Sequence, residues 1–396
     1  MKFFKNILTY ACLLLATACS DERLISPLNG NDGAPGPVTV TNIESLAGGA
    51  KITYNLPDSE NLLYVKAIFT VREGLTREVK SSFYVNNLTV EGFPSSDDYQ
   101  VTLYAVSRGE KMSAPVTVSV SPLTPPVQEV FQTLTIKETY GGLSLSFQNS
   151  GEAAVSITVI TPSENGEVRP VETFYSKSKA ATFYSRGFEP EARTFGVYVK
   201  DRWGNVSDTI TRELTPIYEE LLNKKNFQAL KTLGGDNTTP HFTQWGMEKM
   251  WDDAWNNRDN IFQTVIGSGI PSSFTINLGV KAHLSRYKLY HRAGENIYSG
   301  AAVKIWEVWG SNEPDKDGGW VNWTKITDCT SFKPSDAALG TYTNEDVQYG
   351  IINGEDFNFP DNLPAYQYLR FKITQTWGQT DYLHISELTF WGQVSQ

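Results

Sequence analysis

The chain has 396 residues, 44 of them acidic against 34 basic, with a formal net charge of −10. That length exceeds what a single hydrophobic core holds and implies two or three domains. The acidic balance repels a phosphate backbone, which argues against nucleic acid as a partner, and three cysteines are too few to staple the fold with disulfides.

At the N-terminus Lys2 and Lys5 precede an apolar run over residues 7–18, and Cys19 follows Ala16, Thr17 and Ala18 directly. Charge, apolar run and small residues make a signal peptide of residues 1–18, too short to span a bilayer. The Ala-Thr-Ala-Cys run resembles a bacterial lipobox, which implies acylation of Cys19; an ordinary cleavage site beside a cysteine is the alternative. Ser20, Asp21 and Glu22 resemble the acidic export tag of Bacteroidetes lipoproteins, implying the outer face of the outer membrane. Loss of residues 1–18 removes two lysines and takes the net charge from −10 to −12. Residues 19–36, rich in Gly, Pro, Asn and Asp, read as a lipidated tether.

Residues 37–122 hold short alternating runs at 51–57, 62–70 and 99–106, separated by Gly48-Gly49, Glu73-Gly74 and Arg108-Gly109. Strands at this spacing with such turns indicate a β-sandwich. A second copy occupies 125–216: Gly141-Gly142 follows Gly48-Gly49 by 93 positions, and Gly204 follows Gly109 by 95. A repeat near 90 residues in alternating sequence indicates tandem sandwiches. Pro122, Pro125 and Pro126 mark the boundary between them. The opening Pro37, the Leu56-Pro57 pair, the strand from Tyr99 and the closing Ser113-Ala114-Pro115 resemble a fibronectin type III domain.

Residues 217–233 read as a connector, with Leu221, Leu222 and Phe227 at a spacing that predicts a short helix packed on the last domain. That domain, residues 227–396, carries nine of the ten tryptophans, all but Trp203. Its strands alternate: Leu369, Phe371 and Ile373 fall on one side, Arg370, Lys372 and Thr374 on the other. Cys329, beside a strand pattern, reads as a small buried filler.

The Trp309-Gly310-Ser311-Asn312 turn and the closing Ile385-Ser386-Glu387-Leu388-Thr389-Phe390-Trp391-Gly392 resemble the discoidin domains, also called coagulation factor V/VIII type C. That family includes the family 32 carbohydrate-binding modules. The expected fold class is therefore all-β: two tandem immunoglobulin or fibronectin type III-like sandwiches, then a discoidin-like jelly roll of the galactose-binding type. The resemblance implies binding of glycans or lipid headgroups through apical loops, and rarely catalysis.

It also implies site residues. Arg292, closing Tyr290-His291-Arg292, stands where carbohydrate-binding relatives place an arginine; its planar fork can donate two hydrogen bonds to vicinal hydroxyls. His291 is a further donor or acceptor beside it. The alternative for Arg292 is a surface ion pair with Glu295 or another loop acid. In the loop from Thr376 to Tyr382, Trp377 either stacks on a sugar face or folds back over the sandwich end, with Tyr382 beside it. Trp245, Trp251 and Trp255, crowded into one polar stretch, form a reserve surface. Relatives hold a structural calcium ion, for which Asp252, Asn257 and Glu387 with backbone carbonyls would supply hard oxygen ligands. Asp253, however, stands where the family has Gly, and a merely solvated acidic loop is the alternative.

No zinc-protease His-Glu-x-x-His, nucleophile elbow, P-loop or dinucleotide fingerprint occurs. Carboxylates numerous enough for a glycosidase pair are present, but three binding-type modules leave no segment of catalytic size. The expectation is a lipid-anchored, non-catalytic cell-surface protein that captures a poly- or oligosaccharide beside an outer-membrane importer. A structural or adhesion protein whose last domain binds a protein partner is the competing class, and an enzyme a third.

Overall fold

The period-two alternation becomes strands with one apolar face. In Leu62–Arg72, for example, Leu62, Val65, Ala67, Phe69 and Val71 are buried while the residues between them are not. The structure, a computed structural model, describes residues 33–395 apart from Glu164 and Asn296; the leader and Cys19 lie outside the described residues. By compactness the chain divides into two units. One runs to Ile136 and includes Leu145–Phe183 and Thr194–Glu213; the other has Lys137–Ser144, Tyr184–Arg193 and everything from Leu214.

In the first unit, strands Leu75–Ser82, Leu62–Arg72, Tyr99–Ser107 and Val116–Val120 form one antiparallel sheet. Thr39–Leu46, Gly49–Asn55 and Asn87–Glu91 form the facing one. Tyr54, Phe69 and Phe93 lie in the core between them. The second sandwich repeats the four-plus-three plan. Its sheets are Val168–Ser176, Val155–Pro162, Arg193–Asp201, Ile210–Leu214, and Ala180–Arg186, Gly142–Gln148, Thr135–Thr139. Between the two sandwiches the proline run leads into an unanticipated helix, Pro126–Thr133. A proline in its first turn needs no intrahelical donor there, and Val127 and Val130 bury its inner face.

The last domain is built on one large sheet in the order Glu220–Leu221, Glu387–Val394, Ser272–Tyr290, Tyr366–Thr376, Val303–Ser311, Thr324–Thr330. Phe274 stacks on Phe371 at 5.2 Å between ring centroids, and Tyr287, Trp306 and Phe390 complete the core around them. Cys329 is buried and accepts the Tyr287 hydroxyl at 3.1 Å, and Tyr287 in turn accepts the Trp306 indole N–H at 2.8 Å. Burial pushes the thiol up to about 11, so it is a packing residue and not a nucleophile.

The connector is not a helix. Glu220–Leu221 pairs with Gly392 and Trp391, Lys224–Asn226 makes a 3-10 turn, and Gln228–Ala229 pairs with Asn277 and Ile276. Leu222 and Phe227 are buried but Leu221 is exposed. Sheet pairing thus overrides the helical spacing of the apolar residues. The chain is all-β, two fibronectin type III-like sandwiches followed by a discoidin-like jelly roll.

Candidate ligand site at a loop end of the last domain

Strand register locates the loop ends. Val303 faces Thr376 and Ser311 faces Tyr368 on neighbouring strands, so loops 291–302 and 376–384 share one end while 312–323 lies at the other. The stretch from His241 is brought to the first end. Phe262–Gln263 pairs with His384–Ile385, the His241 N–H donates to the Gln263 carbonyl, and the Gln263 N–H donates to the Trp245 carbonyl. Arg292 and Trp245, chosen separately from the sequence, thereby meet.

The Arg292 guanidinium lies 5.1 Å from the centroid of the Trp245 ring. Its Nε donates to the Arg258 carbonyl at 2.8 Å and its Nη2 to Asp259 at 3.3 Å. Glu295 pairs with Arg258 at 2.8 Å, and the loop acid that meets Arg292 is Asp259, as the ion-pair alternative allowed. Burial is the leading influence lowering the Arg292 pKa, with Asp259 opposing it; an arginine stays charged through such a shift. The Tyr382 hydroxyl stands within electrostatic reach of the same guanidinium. Phe242 meets Trp245 edge-on at 4.7 Å and is exposed, and His241 lies 4.4 Å from Phe242. The result is an aromatic surface with a fixed cation over it, whose Nη1 amino group has no partner among the described residues.

His291 does not reach this surface. It is 1% exposed, and its Nε2 meets Glu355 at 2.6 Å and Ser331 at 3.2 Å. Its backbone N–H is fixed by the Gly350 carbonyl, at the segment Gln348–Ile352. Serine, histidine and carboxylate together suggest a hydrolytic relay, but the geometry is wrong for one. Acid and hydroxyl converge on the same ring nitrogen, and Nδ1 has no partner. Trp377 is half-buried over this cluster. Its indole N–H donates to Ser331 at 3.1 Å, its ring meets Tyr298 edge-on at 5.4 Å, and the Lys304 ammonium sits 4.5 Å from its centroid. His384, beneath the same loops, is buried with Nδ1 unpaired; burial, Arg292 and His291 lower its pKa to about 3.

The structure does not bring Asp252, Asn257 and Glu387 to a common point. Asp252 accepts from Asn260 at 2.7 Å and from Lys249 at 3.1 Å, while Asn257 accepts the Asp259 N–H at 3.1 Å. Glu387 is fully buried and meets the Lys224 ammonium and the Asp253 N–H through the same oxygen. Burial raises the Glu387 pKa to about 7 against the pull of Lys224. Among the described residues no three His, Cys, Asp or Glu side chains cluster as metal ligands would. With the Lys224 ammonium already against Glu387 and Asp253, these side chains do not fit a calcium ion.

Two features escaped sequence reading. Arg370, on the strand face expected to be polar, is buried with Asp236 at 2.7 Å and lies 4.0 Å from the centroid of Trp320. Lys224, in the connector, had no signal at all. A cleft of about 780 Å³ lined by Leu230, Leu233, Asn312, Asp315, Lys316 and Tyr368 lies at the other loop end, away from Arg292.

Three families described as domains of unknown function match the chain: DUF4959 at residues 35–122, DUF5126 at 123–225 and DUF5000 at 251–392. No curated protein matches significantly in sequence. Among solved structures, the F5/8 type C domain of a Bacteroides fragilis protein is 9% identical, covers 44% of this chain and 97% of its own, and has a TM-score of 0.32. A family 32 carbohydrate-binding module bound to GalNAc is 12% identical over 43% of this chain and 97% of its own, with a TM-score of 0.28. A SusE-like protein is 30% identical, covering 68% of this chain and 100% of its own, with a TM-score of 0.44. On that identity across the whole length of the relative, the chain belongs to the SusE-like family.

Proposed function

We propose that this chain is a non-catalytic, lipid-anchored protein of the bacterial cell surface that captures a poly- or oligosaccharide for an outer-membrane importer, using the Arg292 end of its last domain. One observation carries the reading: the Arg292 guanidinium held over Trp245, with exposed Phe242 and half-exposed Tyr382 beside it. A sugar ring offers hydroxyls at its rim and C–H groups on its faces, so a fixed donor next to an aromatic surface meets both. Membership of the SusE-like family supports a role in glycan capture, and the geometry of Ser331, His291 and Glu355 lends no support to hydrolysis.

Calorimetry of the full chain against a panel of neutral and acidic polysaccharides tests this reading, with reducing-sugar release measured in parallel. Saturable heat with at least one polysaccharide and no release is the expected result. Failure to bind any of them would favour a protein partner instead, and release of reducing ends would mean an enzyme.

A further inference from the structure

Lys224 occupies an unusual place for a lysine. Its ammonium contacts Glu387, whose side chain has no exposure, and lies 2.6 Å from Asp253 Oδ1. The lysine side chain itself is 10% exposed. Asp253 has φ +62°, in the left-handed region where glycine is usual, and its N–H donates to the same Glu387 oxygen at 3.2 Å. Asp tolerates that conformation better than most residues, and the contact with a cation offsets its cost. Two carboxylates, one buried and one exposed, therefore meet one positive charge, and the strained turn at Asp253 donates its N–H to the buried one.

The same turn begins the loop that serves Arg292. Asp252 is tied to Asn260 at 2.7 Å, and between them Arg258 and Asp259 hold the Arg292 guanidinium. The cation is thus placed where it both neutralises Glu387 and fixes the near end of that loop.

We propose that Lys224 is the built-in cation of this centre: its ammonium takes the position a divalent ion would hold between Glu387 and the Asp253 turn, so the last domain folds and works without metal. A lysine delivers one charge and three donors from a covalent tether, whereas calcium needs six to eight oxygens, and among the described residues no three His, Cys, Asp or Glu side chains cluster to begin such a shell. The lysine comes from the connector, between the paired segments Glu220–Leu221 and Gln228–Ala229, so its backbone is fixed on both sides.

Tryptophan fluorescence isolates the relevant unfolding step in the full chain, because nine of the ten tryptophans lie in the last domain. For the unaltered protein, excess calcium or excess chelator should each move the melting midpoint by less than about 1 °C, the reading expected when nothing binds the native state. Lys224→Met should lower it by roughly 6–15 °C, since it strands a buried carboxylate. Lys224→Arg, which keeps the charge, should recover part of that loss. If Lys224→Met does not fold, the double variant Lys224→Met/Glu387→Gln decides the matter, because removing both charges together should restore a cooperative transition. A midpoint raised several degrees by calcium, or a Lys224→Met protein as stable as the parent, would overturn the proposal. None of these readings involves a glycan, so they stand or fall apart from the proposed function.

Discussion

Arg370 and Asp236, 134 residues apart in sequence, meet at 2.7 Å with both side chains sealed from water. Burial raises the Asp236 pKa even with the guanidinium and the Thr275 hydroxyl pulling it down. The pair therefore adds little net stability, while losing one member would leave a charge with no solvent. The Arg370 Nη1 also donates to the Gly318 and Gly319 carbonyls, at 3.0 and 3.2 Å, and its Nη2 to Gly234, so one side chain ties two loops to the sheet. Arg370→Met should cost about 3–5 kcal/mol in denaturant unfolding of the last domain. Arg370→Met/Asp236→Leu should recover part of that loss. A single variant as stable as the parent would show that water reaches this pair.

The proposed ligand site makes a prediction with an internal control. Arg292→Ala and Trp245→Ala should each weaken polysaccharide binding about ten-fold or more, one through lost hydrogen bonds and the other through lost ring contact. Trp377→Ala removes a ring that packs on Tyr298 and donates to Ser331, so it should lower the melting midpoint more than the affinity. Calorimetry and melting curves on the three variants separate the two effects. Loss of affinity only on changing Tyr368 would move the site to the opposite cleft.

Acid stability should depend on His384. Its pKa falls from 6.5 in the unfolded chain to about 3 in the fold, so the unfolded state takes up a proton first as pH drops. The contribution is intact above pH 6.5 and is lost progressively toward pH 3, amounting to about 4 kcal/mol across that window. His384→Gln should lose less stability than the parent between pH 7 and pH 4 in urea titrations. Identical pH profiles would mean the imidazole is hydrated.

The proposed lipid anchor rests on Cys19, outside the described part of the chain. Cys19→Ala should shift the protein from the membrane fraction to the soluble one or block its maturation, because a stable anchor needs two acyl chains or more. Retention in the membrane by the altered protein would exclude the lipid.

Strand positions were legible because alternation is local. Leu369, Phe371 and Ile373 face the core as their spacing requires. The tryptophan-rich stretch around Trp245 stood out by composition alone. What spacing could not show is which polar residue would be enclosed. Arg370 and His291 look like exposed polar positions, and both become buried only because Asp236 and Glu355 arrive from distant segments. The contact between Arg292 and Trp245 is likewise made by loops, whose paths depend on pairings such as Gln263 with His384. The helical spacing of Leu221, Leu222 and Phe227 misled for the same reason, since the open edge of Glu387–Val394 claims that segment.

That short strand, Glu220–Leu221, covers the outer rim of the large sheet by pairing with Trp391 and Gly392. A chain trimmed to the matched family region at residue 251 would bare the backbone groups of Phe390, Trp391 and Gly392 on that rim and would also lack Lys224. Such a rim invites a second chain to add itself as a strand. A fragment beginning at 251 should therefore associate or precipitate at concentrations where one beginning at 214 remains monodisperse, and a fragment beginning at 227 should behave like the shorter one. The residues just ahead of the matched family region thus act as a cap on that rim.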